Sequence, residues 1–170
     1  MVEKFRGVAL HKLENEEAKV DAVLSALKSS QFVHLACHGR HDGREPLKSH
    51  LVLADGELDL ARILAEDLDS AEFAFLSACQ TASWDLGIPN ESPHLAGGFV
   101  AAGFKSVIGT LWSIADEDAP EVVQEVYEGM QVKGGLDITL AAEGLDRAVR
   151  KMRASGVPAH RWVPFIHVGV

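Results

Sequence analysis

Three short apolar runs, FVHLAC at 32–37, AEFAFLSAC at 71–79 and KSVIGTLW at 105–112, are separated by stretches with helical spacing. Runs of this length with few polar positions suit strands covered on both faces, and strands alternating with helices specify an α/β fold with a mainly parallel sheet. The helical stretches fit that order. ENEEAKVDAVLSALKS places Val20, Val23, Leu24 and Leu27 on one face and predicts a helix over about 16–28, acidic at its start and with Lys28 near its end. LAGGFVAAGF, 95–104, predicts a helix in which Gly97 and Gly98 each cost roughly 1 kcal/mol against alanine. That cost implies close approach of the helix backbone to a sheet or to the preceding loop, and Gly103 is placed to end the helix.

Two further amphipathic helices are predicted over 116–130, through Val122, Val123, Val126, Tyr127 and Met130, and from Ile138 to Met152. HLVLADGELDL, 50–60, reads as a hairpin around Asp55-Gly56, and Asp59 is placed both to end the second strand and to cap the helix after it. The terminal run WVPFIHVGV predicts a last strand, and its Pro164 implies an edge position or a strand beginning after it. Residues 80–94 lack periodicity and hold Gly87, Pro89, Asn90 and Pro93, so a long loop is expected there. A sheet of this kind normally has a strand before the first helix. Either residues 5–10 pair at an edge, or the chain is the C-terminal part of a longer unit.

A length of 170 residues suffices for one hydrophobic core, and the expectation is a single domain over 1–170. Sixteen Lys and Arg against twenty-five Asp and Glu, a formal charge of −9, argue against a nucleic-acid partner, whose affinity rests on cationic side chains. No apolar stretch is long enough for a membrane span. The two cysteines, Cys37 and Cys79, each close an apolar run, and no basic, apolar signal peptide opens the chain. A reducing, cytoplasmic location is therefore expected.

Both His38 and Cys79 are expected at the carboxyl ends of parallel strands, where open α/β sheets place their sites. A thiol becomes a nucleophile when an adjacent imidazole takes its proton or pairs with the thiolate. Gly39, lacking Cβ, lets its backbone N–H approach a carbonyl closely, and the Cys79 N–H would be the second oxyanion donor. Cys37 lies one residue earlier and, by alternation, faces away, so it reads as packing; His34 reads as a hydrogen-bonded core histidine. His41, His50 and His94 fall in polar loops. A metal site from His38, His41 and Cys79 lacks the usual ligand spacing, so neither metal nor other cofactor is expected.

VHLACHG, then FLSACQT some forty residues on, then LAGGFVAAGFKSVIGTLWSIAD and finally RWVPFIHVG together resemble the CHAT domain, a caspase-like module of the clan that also holds the separases. The resemblance runs from about residue 14 to 170. It implies a caspase-like three-layer α/β/α sandwich lacking its first strand or strands, and cysteine endopeptidase chemistry with His38 and Cys79 as the dyad. It also implies an upstream regulatory or helical repeat region as partner, a protein or peptide as substrate, and a missing sheet edge covered by that region or by a second copy in a homo-oligomer. The family often carries glutamate and glycine after the cysteine, where this chain has Gln80, Ala82 and Ser83. Likeness to caspases further implies a substrate pocket drawing on Gln80 and on the loop TLWSIADED, 110–118. There Trp112 would form an apolar wall, Ser113 a backbone edge for an extended peptide, and Asp116 or Asp118 either a partner for a basic side chain or a helix cap. The alternative class is a non-catalytic protein-interaction or assembly module.

Overall fold

The computed structural model describes residues 10–40, 42–77, 95–115 and 117–170. In chain order it contains α1 (Val20–Ser29), β1 (Phe32–Leu35), β2 (His38–Arg40), β3 (His50–Leu53), β4 (Gly56–Asp59), α2 (Leu60–Leu64) and β5 (Phe73–Leu76). Then follow α3 (Leu95–Ala101), β6 (Ser106–Thr110), α4 (Ala119–Met130), β7 (Gln131–Val132), β8 (Gly135–Leu136), α5 (Ala141–Ala154), α6 (Ala159–Trp162) and β9 (Phe165–Gly169). Four strands form the central sheet in the order β1-β5-β6-β9. The first three are parallel, and β9 runs antiparallel to β6 with Ser106 opposite Gly169.

Side-chain alternation divides the core into two layers, one on each face of this sheet. Phe73, Phe75 and Ile108 pack with Val122, Val126, Tyr127 and Met130 of α4 and with Leu145, Ala148 and Met152 of α5. Ala74, Leu76 and Val107 face the other way, onto Val23, Leu24 and Leu27 of α1, Ile63 of α2 and Phe99 of α3. All four residues of β5 and all five of β6 are buried, which is why these runs are apolar without alternation. Each large side chain so buried contributes about 1.5–3 kcal/mol, and truncating Phe75 to alanine is expected to cost about 3–5 kcal/mol. Pro164 lies just outside β9, which among the described residues is an end strand of the sheet, so both readings of that proline hold together.

The 32–37 run is split. Its strand ends at Leu35, and the chain then enters β2, which joins β3 and β4 in a separate antiparallel meander. The β3–β4 hairpin turns on Ala54 and Asp55, while Gly56 is already opposite Leu53 in the ladder. Asp55 also reaches α1: its Oδ1 accepts the Val20 N–H at 2.9 Å. Helix α1 therefore starts at Val20 rather than near 16, with a separate 3₁₀ turn at Asn15–Glu17 before it. Asp59 does serve twice, ending β4 and accepting the Arg62 N–H of α2 at 2.8 Å.

In α3, the Gly98 position faces Leu60 of α2, a helix-to-helix approach, while the expected approach to the sheet is made at Ala96, which lies 3.0 Å from where a Cβ on Gly109 of β6 would stand. Gly103 takes φ +120°, a conformation that costs L side chains strain, and stops the helix as expected.

Candidate active site

Strands β1 and β5 are neighbours, and their last paired residues are Leu35 and Leu76. His38 comes three residues after the first and Cys79 three residues after the second. Cys79, Gln80 and Asp116 lie outside the described residues, as do His41, His94 and the expected 80–94 loop. His38 is exposed. It does not end the parallel strand, as its sequence position suggested, but opens β2 opposite Val52.

The meander fixes how His38 and Gly39 present themselves. In a two-residue hairpin the closing pair exchanges ladder hydrogen bonds, and the bonded pairs then alternate along the strands. The Leu60 N–H donates to the Ser49 carbonyl at 2.8 Å, which sets the phase: Ser49, Leu51 and Leu53 direct their backbone groups to the β4 side. Val52 and His50 therefore serve β2, pairing with His38 and Arg40. Gly39, opposite Leu51, points its N–H and C=O away from β3. Its alpha carbon lies over the buried Leu51 and Leu58, while His38, Arg40, His50 and Glu57 occupy the meander's other face.

In β1 of the central sheet, His34 is the core histidine that its position in an apolar run implied. Its Nε2 lies 3.0 Å from Ser77 Oγ, and its ring packs 5.1 Å from Phe75 and 6.0 Å from Tyr127. Burial lowers its pKa to about 4, so the imidazole is neutral near pH 7. Cys37 packs against the α1–α3 layer, and burial pushes its thiol up to about 11. That is the environment of an inert thiol. Nothing in the sequence singled out Ser77 as the partner of His34, although it sits in the same FLSAC motif.

The loop after β6 is anchored from the C-terminal side. Leu111 N–H donates to the Pro164 carbonyl at 2.9 Å, and Trp112 Nε1–H donates to the His160 carbonyl at 3.0 Å. Trp112 is half-buried and Ser113 exposed. Asp118, buried just before α4, makes no side-chain cap; Arg161 takes both of its oxygens and also binds Glu117. Asp118 is thus neither a cap through its side chain nor a carboxylate held open for a basic ligand. Arg161, which sequence reasoning passed over, has no local pattern that would reveal it.

Among the described residues no group of three His, Cys, Asp or Glu side chains is placed to hold a metal ion. Nor is any described helix long and apolar enough to cross a membrane. What the geometry defines is an α/β protein with helices on both faces of a largely parallel sheet and, beyond the end of one strand, an exposed histidine followed by a buried glycine. The model of the CHAT domain matches residues 1–170, and the chain belongs to that family, a caspase-clan module. No curated protein matches it.

Proposed function

We propose that the chain is a cysteine endopeptidase of caspase-like architecture using His38 and Cys79 as a dyad. One observation carries the reading. Leu35 and Leu76 are register partners at the carboxyl ends of adjacent parallel strands, the end where such folds place their sites, and His38 and Cys79 each stand three positions later in the sequence. The exposed position of His38 and the outward backbone of Gly39 support it.

In this scheme Cys79 Sγ attacks a peptide carbonyl and its proton passes to His38. The tetrahedral intermediate collapses as His38 gives that proton to the leaving amine, leaving a thioester. Water, deprotonated by His38, then attacks the thioester and releases the acid and the thiol. The N–H groups of Gly39 and Cys79 stabilise the oxyanion in both halves, and no cofactor enters. Gln80, Trp112, Ser113 and Asp116 would line the substrate path, with Ser113 offering a backbone edge to an extended peptide.

The test is intact-mass labelling with a thiol-reactive peptide electrophile. Selective modification of Cys79 that is lost in His38→Ala supports the dyad. Equal labelling of Cys37 and Cys79 would sink it and turn preference to an assembly module. We further propose that these residues are the catalytic part of a larger cytoplasmic peptidase. Among the described residues β1 is an end strand of the sheet, and such edges are usually covered. An upstream region or a second copy would pair there. Light scattering showing a strict monomer, with turnover unchanged when upstream sequence is added, would count against both partners.

A further inference from the structure

At the carboxyl end of the central sheet β1 ends at Leu35, from which the chain passes to the meander, and β5 ends at Leu76, with Ser77 next and Cys79 two positions further in the sequence. The bond between His34 and Ser77 lies at this end of the sheet. Phe75 is the register partner of His34, so Ser77 is its diagonal neighbour on the same face, one position beyond the last paired residue, Leu76. The bond thus crosses the ladder where backbone pairing stops.

We infer that His34 and Ser77 form a positioning pair that fixes how β1 and β5 release the His38 and Cys79 segments, an inference that rests on the dyad proposed above. Three features carry it. The bond is 3.0 Å long and joins side chains 43 residues apart, so it ties two strands and not one turn to itself. The imidazole is itself held by Phe75 and Tyr127, so it offers Ser77 a fixed direction. An apolar pair of similar size would pack as well or better at this depth, because a buried hydrogen bond adds little net stability while its loss is costly. What the polar pair adds is direction. It also stays neutral, since burial keeps His34 unprotonated near pH 7, and so adds no charge beside an ion pair of His38 and Cys79.

The experiment measures alkylation of Cys79 by iodoacetamide, from about pH 6 to about pH 9, with thermal melting alongside. Wild type is compared with His38→Ala, Ser77→Ala, Ser77→Thr and the double variant His34→Phe/Ser77→Ala. Loss of positioning is expected to slow Cys79 in Ser77→Ala by about 10-fold or more, and Ser77→Thr, which keeps the hydroxyl, to recover most of it. The double variant removes both members together, so it is expected to melt near wild type yet to stay slow; stability alone would not give that split. Should Ser77→Ala not fold, the double variant and Ser77→Thr carry the comparison. A double variant as reactive as wild type, with His38→Ala slow, overturns the positioning role alone. His38→Ala as reactive as wild type overturns the dyad, and the pair's role with it.

Discussion

Arg161 grips the buried carboxylate of Asp118 from 43 residues away, Nε to Oδ2 at 2.9 Å and Nη2 to Oδ1 at 2.6 Å. The fork joins the turn before α4 to α6, and so fixes one end of the 110–118 loop against the segment that leads into β9. Two parallel bonds to a planar guanidinium hold geometry that a lysine would not.

Arg161→Ala strands Asp118 in a site that was built for a partner. The expected result is a fall in Tm on the order of 5 °C, with Arg161→Lys recovering only part of it. Asp118→Asn/Arg161→Ala, which removes the stranded charge, is expected to melt higher than Arg161→Ala. Equal Tm values for Arg161→Ala and wild type would show the fork to be ornamental.

His34 makes stability depend on pH in a defined direction. Its folded pKa is about 4 against an ordinary value of 6.5, so the unfolded chain binds the proton more readily. Its contribution is fully present above about pH 6.5 and is lost as pH falls towards 4, an effect of about 3 kcal/mol from this one group. Burial also lowers His167, and that shift has the same sign. Urea unfolding at several pH values should therefore show a shallower acid decline in His34→Gln than in wild type. Parallel profiles would mean that His34 protonates in place.

The parallel strands were legible because burial on both faces leaves an unmistakable run of apolar residues, as in FAFL of β5. The face of α1 was legible for a similar reason, since Val20, Val23, Leu24 and Leu27 repeat at helical spacing. The start of α1 was not, because its first N–H is capped by Asp55 from 35 residues away. His38 stands out by its type and neighbours, yet it opens β2 and does not end the parallel strand. Three residues of β2 carry no periodicity, and their pairing with β3 is a tertiary fact. The partners Ser77 for His34 and Arg161 for Asp118 were hidden in the same way, each bond spanning 43 residues.

Cys37 should be unreactive in the folded protein. Raising its thiol from 9.0 to about 11 lowers the thiolate fraction near pH 7 about 100-fold. Iodoacetamide is expected to modify it slowly in buffer and at an ordinary thiol rate in denaturant. Comparable rates in both would contradict the packing of Cys37 against the α1–α3 layer.

Gly98 is expected to resist even alanine. A Cβ there would lie 2.5 Å from both Cδ atoms of Leu60, which is only 2% exposed and so has little room to swing aside. Alanine gains about 1 kcal/mol of helix propensity, but forcing an extra carbon into a filled core costs about 1–3 kcal/mol. Overpacking wins, and Gly98→Ala should lose about 1 kcal/mol in urea unfolding. Leu60→Ala alone opens a cavity and should cost about 2–5 kcal/mol. Combining them places the new methyl in the space vacated, so the double variant should be more stable than the two losses added together by about 1 kcal/mol. Strict additivity, or a Gly98→Ala variant more stable than wild type, would mean that α2 and α3 do not pack through this contact.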